Sequence, residues 1–268
     1  MEEPSAAEHS DPPGGNWQDA LLFSTLRLET TREDGRSLQA TAFIYEYRAE
    51  DGDRYPFLVT ARHAVVGAVE GRITFIPEQR GRPDLSKGYT LDIENFAKLW
   101  YPHPDAALDV AVTPFVPFVR HIEDSGIPLY YRTLHLVSEE VLAQPLAPLI
   151  LSAHPSGVSG PDELLPQVLQ GRLSGPRLGL YAGRERFLVA LGAFPGAAGA
   201  PLFVPRTTDV ALVGMLVEGQ RLDAAVGERA LVPLHEAFSG PVGPLAGALR
   251  ARVFVSLIRG YLKEKGFI

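Results

Sequence analysis

Glycine, proline and aspartate break this chain at short intervals, and between the breaks lie apolar or alternating runs too short to bury a helical face but long enough for strands. Leu26–Thr30, Leu38–Tyr47, Pro56–Thr60, Ile73–Ile76 and Val110–Phe115 form one group of such runs. Leu149–Ala153, Gln167–Leu173, Phe187–Leu191, Pro201–Val204 and Val210–Val217 form a second. The pattern predicts an all-β protein in two halves. The segment RAEDGDR, between an alternating run and a continuous apolar one, predicts a hairpin rather than a crossover helix. Helical periodicity emerges only at the end. From about Leu245, Leu249, Val253, Leu257 and Tyr261 recur at four-residue steps, which predicts an amphipathic helix weakened at Gly260 and packed across the β structure.

A chain of 268 residues can bury one large core or two smaller ones. The expected organisation is an acidic, Pro- and Gly-rich tail over 1–16, an N-terminal β lobe over 17–125, a C-terminal β lobe over 126–244 and a helix over 245–268. A linker falls between about Val116 and Gln144. No apolar run approaches the ~18 residues of a membrane span. The first residues lack the basic start and apolar stretch of a secretion signal. With no cysteine, disulfides and thiolate metal sites are excluded, and a cytoplasmic location is expected. A net charge of -7 without a run of Lys or Arg argues against nucleic acid and anionic lipid as partners. No phosphate loop or dinucleotide fingerprint occurs, so no cofactor is expected.

Three segments carry chemistry. In FLVTARHAV, residues 57–65, a buried-type strand delivers His63 at the start of a helical turn. In HPDAALDVAV, residues 103–112, Asp109 stands at the entrance of an apolar strand, where an ionised carboxylate needs hydrogen-bond donors. FPGAAGAPLF, residues 194–203, is a loop of small residues running into a strand. Taken singly, His63 reads as a partly buried, satisfied histidine and Asp109 as a strand cap. His103 and Asp105 with Asp109 lie in a proline-flanked extended segment without metal-ligand spacing, so no metal is expected. His121, His135, His154 and His235 read as surface or loop histidines, and Tyr130–Tyr131 as packing residues.

Together and in this order, FLVTARHAV, LDVAV and GAAGAPLF resemble the His, Asp and Ser segments of trypsin-like (chymotrypsin-fold) serine proteases. ATAFIY, residues 40–45, is similar to the strand ahead of the histidine, and residues 153–175 resemble the segment before the nucleophile in bacterial intracellular-type members. The resemblance covers most of the chain from Leu26 to Val217 and implies two six-stranded β-barrels with the active site in the cleft between them. It implies His63 as general base and acid, Asp109 as its orienter, and Gly196 with Ala198 as the oxyanion-binding amides. Serine is expected at position 198, where this chain has alanine. Because that change removes one oxygen and leaves His63, Asp109 and Gly196 in place, it reads as deliberate inactivation of a peptide-hydrolysing enzyme; a natural pseudoprotease that binds or regulates proteins is the alternative.

The same resemblance sets Leu191, Gly192 and Ala193 at the floor and wall of the primary pocket, and Val217, Glu218 and Gly219 on the strand that pairs with a peptide substrate. With no acid at the floor, a small or apolar residue before the scissile bond is expected. Glu218 reads as an exposed rim charge. Ala197 replaces the aspartate that pairs with a freed N-terminus in secreted members, so control is expected from an activating protein partner or from substrate availability.

Overall fold

Strand formation begins where β-branched and aromatic residues cluster between turn formers. The computed structural model describes residues 17–144, 146–156, 163–174, 185–206, 209–222, 229–239 and 242–268; the expected tail over 1–16 lies outside them. The first lobe contains α1 (Trp17–Phe23), β1 (Thr25–Arg32), β2 (Ser37–Arg48), β3 (Arg54–Thr60), α2 (Arg62–Val65), β4 (Ala68–Phe75), a small ribbon of β5 (Glu78–Gln79) and β6 (Arg82–Pro83), β7 (Tyr89–Glu94), β8 (Tyr101–Pro102) and β9 (Ala111–Pro114). Its main sheet has the order β7-β4-β1-β2-β3-β9-β8, and every pairing is antiparallel. RAEDGDR makes the expected hairpin, with Arg48 opposite Arg54 and the Ala49 N–H donating to the Asp53 carbonyl at 2.9 Å.

The second lobe contains β10 (Pro148–Ala153), β11 (Gln167–Ser174), β12 (Arg186–Ala190), β13 (Pro201–Pro205), β14 (Val210–Leu222), β15 (Arg229–Pro233), α4 (Leu234–Ala237) and β16 (Val242–Arg250). β13 pairs with both β10 and β14, so β13-β10-β11-β12-β16-β14 closes into a six-stranded barrel with β15 added outside the ring. The all-β, two-lobed architecture with a C-terminal helix holds. The lobes differ in closure, since among the described residues no pairing joins β7 to β8 and the first sheet curls as an open half-barrel of seven strands.

Between the lobes, α3 (Val116–Glu123) buries Phe118, Val119 and Ile122, and the chain then crosses over, with Leu134 bridged to Tyr45 and Val137 to Leu212. The terminal helix, α5, spans Ala251–Glu264. The expected start at Leu245 is corrected, because residues 245–250 finish β16, which pairs along one edge with β12 and along the other with β14 to close the barrel. Gly260 lies within α5 without ending it. Phe254 meets Phe43 and Tyr45 edge-on at 5.5 Å, and Tyr261 meets Phe57 at 5.5 Å, so the last helix of the chain fastens onto the first lobe.

Candidate active site

β3 ends at Thr60, Ala61 stays extended, and α2 then turns the chain so that His63 leaves the end of the sheet. Several bonds fix this corner. The Thr30 hydroxyl donates to the Ala64 carbonyl at 2.9 Å, and the Arg32 guanidinium donates to the carbonyls of His63 at 2.7 Å and Val66 at 3.0 Å. A turn closed by the Leu108 N–H on the Asp105 carbonyl brings Asp109 to the same place from the β8–β9 connection.

Asp109 receives His63 twice. Its Oδ1 accepts the His63 backbone N–H at 2.8 Å, and its Oδ2 lies 2.5 Å from His63 Nδ1. Burial pushes the Asp109 carboxyl up, but the bonds and charge attraction of His63 outweigh it and leave the carboxyl below its ordinary value. An ionised carboxylate only accepts, so it holds the ring proton on Nδ1 and leaves Nε2 as the accepting nitrogen of the neutral imidazole. Nε2 is shielded from solvent and bonds to no described residue. A group able to receive a proton is thus held in place beside a fixed negative charge.

The loop at Gly196–Gly199 meets this corner through Thr41 of β2. The Thr41 hydroxyl donates to the Gly196 carbonyl at 2.8 Å, and the Thr41 N–H donates to the Ala198 carbonyl at 2.9 Å. The Thr60 hydroxyl in turn donates to the Thr41 carbonyl at 2.8 Å. Gly196 has a φ of 93° and Gly199 a φ of 83°. A Cβ at Gly199 would sit 2.9 Å from the Ala61 backbone nitrogen and 2.6 Å from the Thr60 hydroxyl, so only glycine lets the loop close on the strand end that carries His63. Ala198 is buried, and among the described residues the N–H groups of Gly196 and Ala198 donate to no protein acceptor. Two backbone N–H groups in a small-residue turn, neither donating to a described residue, suit a developing oxyanion.

His63, Asp109, Gly196 and Ala198 are therefore drawn from three distant segments into one region where the lobes meet. Of the other expected site residues, Leu191 and Ala193 are half-buried and Gly192 is exposed, while Val217 is buried. A Cβ at Gly219 would meet Ala193, which places those two together. The reading of Glu218 as an exposed rim charge is corrected: its side chain is 7% exposed and is ion-paired to Arg186 of β12, because a carboxylate buried this far requires a cation beside it. Arg186 Nη2 also donates to the Ala107 carbonyl at 2.5 Å, tying the second lobe to the segment that bears Asp109.

Of the histidines read as surface or loop residues, His154 lies in the loop after β10 but is buried there, and His235 lies in α4. His154 is 1% exposed, with its carbonyl accepting from Gln39 and its N–H donating to the Thr41 hydroxyl, so the Gly196 turn is built over it. His235 of α4 stacks on His63. Thr41, Arg32 and Arg186 escaped the sequence reading; Thr41 alone lay in a quoted motif, ATAFIY, and the other two carry no local signal. Tyr130 and Tyr131 pack edge-on against Phe23 and Phe115.

No family model matches the sequence, and no curated protein matches it either. Solved structures do match. The HtrA-type protease AlgW with tripeptide superposes with a TM-score of 0.54 at 14% identity over 95% of this chain and 65% of that one, so this chain corresponds to less than two thirds of that protein. HL collagenase superposes with a TM-score of 0.50 at 14% identity over 92% of this chain and 95% of that one. GrC gives 0.50 and 14% over 92% and 96%. With identity this low the likeness concerns architecture, and on that ground the chain has the two-lobed fold of the trypsin-like serine proteases.

Proposed function

We propose that this protein is a serine-type endopeptidase by design, carried here in a form that lacks the attacking hydroxyl because alanine stands at position 198. The observation that supports this most is the double attachment of His63 to Asp109, with Nε2 left as a proton acceptor near the Gly196–Gly199 loop. In this reading a serine at 198 gives its proton to His63 Nε2 as it attacks a peptide carbonyl, and Asp109 stabilises the imidazolium that forms. The amides of Gly196 and Ala198 receive the oxyanion, and His63 returns the proton to the leaving amine. Loss of the hydroxyl removes about a millionfold in turnover but leaves these amides, so a peptide that reaches the cleft is bound without being cut. A tripeptide accompanies the AlgW structure that this fold resembles, in keeping with a peptide ligand.

A second reading is a binding or regulatory module that never carried the serine, favoured by the chain's own segment lying along β14 beside the site. Ala198→Ser separates the two. The peptidase reading expects covalent labelling by a phosphonate probe and hydrolysis of an unstructured protein substrate, both abolished by His63→Ala; a folded Ala198→Ser protein inert to both supports the binding reading.

A further inference from the structure

Gly214 and Met215 of β14 pair with β13 and with β16, so β13 and β16 lie on opposite edges of that strand. Glu218, Gly219 and Arg221 pair with β16 and also with β15, which puts β15 on the β13 edge, in tandem with it. Between the two, the Gly199 N–H donates to the Leu216 carbonyl at 2.8 Å and the Leu216 N–H donates to the Ala200 carbonyl at 2.9 Å. The loop bearing Ala198 therefore sits on Leu216, and from Glu218 onward the edge is filled by β15. That edge is where an added strand approaching Ala198 would lie.

We propose that β15 and α4 are a built-in, displaceable occupant of the peptide-binding cleft, and that they imitate its ligand: an extended segment followed directly by a leucine-sized aliphatic side chain beside Gly219 and Ala193. This rests on the reading of the cleft as a peptide site. β15 runs antiparallel to β14, with Leu231 opposite Gln220, Val232 opposite Gly219 and Pro233 opposite Glu218, and the chain then turns into α4. Leu234 then takes the place of the ligand's aliphatic side chain. It is 1% exposed, and a Cβ at Gly219 would touch Leu234, Ala193 and Ala237 alike. His235 follows, and its ring lies against that of His63 with centroids 4.5 Å apart and planes tilted by 32°. His63 and Asp109 side chains are left 10% and 13% exposed.

The same segment is lightly anchored. All five residues of β15 are half-buried or exposed, in contrast to the buried run within β2, and burial in α4 is confined to Leu234 and Ala237. Edge pairing to backbone is the interaction an incoming extended peptide reproduces, so such a peptide competes for the edge on equal terms and wins by mass action when its own contacts are better. A Leu-Val-Pro-Leu-like segment in another protein, or in a second copy of this chain, has the chemistry to do so.

Leu234→Asp tests this by placing a charge where the occupant is anchored. Two readouts are compared. The first is the labelling rate of Ala198→Ser by a leucine-based aryl phosphonate, with and without Leu234→Asp. The second is binding of a labelled peptide with the sequence of residues 229–234 to the unsubstituted chain and to Leu234→Asp. A gain of about tenfold or more in either readout supports the proposal. Equal labelling and equal binding overturn it while leaving the peptidase reading intact. Absence of labelling in both proteins with a tenfold gain in peptide binding keeps the occupant and sinks the peptidase reading; no labelling and no gain in binding sinks both. Circular dichroism checks folding, and if Leu234→Asp does not fold, Leu234→Ala and His235→Ala are put through the same comparison.

Discussion

The rings of His63 and His235 lie 4.5 Å apart between centroids, with their planes inclined by 32°. Two imidazoles at this distance cannot both carry charge without strong repulsion, so charge on His63 disfavours protonation of His235. Burial pushes the His235 pKa down first and the proximity of His63 pushes it further, with a small contribution from Arg32, against the upward pull of Glu236 and Asp109. His235 is accordingly held neutral at physiological pH, and the ring that must receive a proton in the proposed reaction has an uncharged neighbour.

Ring titration followed by NMR is expected to find His235 protonating below 6.5. In His63→Ala its midpoint moves upward but stays below the ordinary value, because burial is the larger cause. A midpoint indifferent to His63→Ala would contradict the stacked arrangement.

In the Ala198→Ser background, Asp109→Asn is expected to lower kcat by about four orders of magnitude, since an amide cannot hold the His63 proton on Nδ1 as a carboxylate does. Steady-state hydrolysis of a leucine-containing peptide measures it. A loss of less than tenfold would mean that the Nδ1 contact has no catalytic role.

How much of this was legible in the chain depends on whether the signal is local. The hairpin at RAEDGDR and the corner at His63 follow from residues adjacent in sequence, and the two β halves follow from runs that each stand alone. Residues 245–250 of β16 suit helix or strand through their Leu and Ala residues, and pairing with two strands of distant sequence decides the matter. β7 alternates half-buried and exposed residues along TLDIE, too polar a run to announce a strand. Glu218 and Arg186 are both charged residues in short runs, and nothing near either predicts that each is buried against the other.

That pair carries a stability prediction. Glu218→Ala leaves the Arg186 guanidinium buried opposite a methyl group and is expected to cost about 3–5 kcal/mol in urea unfolding, whereas Arg186→Met with Glu218→Leu recovers most of the loss. Because Arg186 also holds the Ala107 carbonyl, the double variant in the Ala198→Ser background should fold yet label more slowly with a phosphonate. Equal stability of the Glu218→Ala and parent proteins would show the pair to be solvated in practice.

A glycine pair sets a packing limit against a helix preference. At Gly196 a Cβ would fall 2.2 Å from the His154 carbonyl oxygen in a backbone of φ 93°, whereas at Gly260 it meets nothing within 4 Å. Gly196→Ala should cost more than about 2 kcal/mol through clash and backbone strain together. Gly260→Ala should instead stabilise the protein by about 0.5–1 kcal/mol, by restoring helix propensity in α5. Thermal unfolding of the two variants should therefore shift in opposite directions, and the same sign for both would contradict the placement of at least one.

The histidine beneath the Gly196 turn makes the fold sensitive to acid. Burial holds the His154 pKa down to about 4, with Arg27 adding to the effect and the Thr25 carbonyl opposing it. An unfolded chain protonates this ring near 6.5, while the folded one resists until about 4. Between those values the unfolded state binds the extra proton, so stability falls as pH is lowered through that window and the contribution levels off beneath it. The span corresponds to about 3 kcal/mol from this one group. His235, also lowered, acts in the same direction; the Asp109 carboxyl, lowered as well, withdraws its contribution only as pH falls through the carboxylate range. His154→Gln removes the titrating ring and leaves the backbone bonds to Thr41 and Gln39 available. Urea unfolding at pH 7 and pH 5 should give a smaller difference for His154→Gln than for the parent, and an equal difference in the two proteins would mean that His154 is reached by water and protonates without cost.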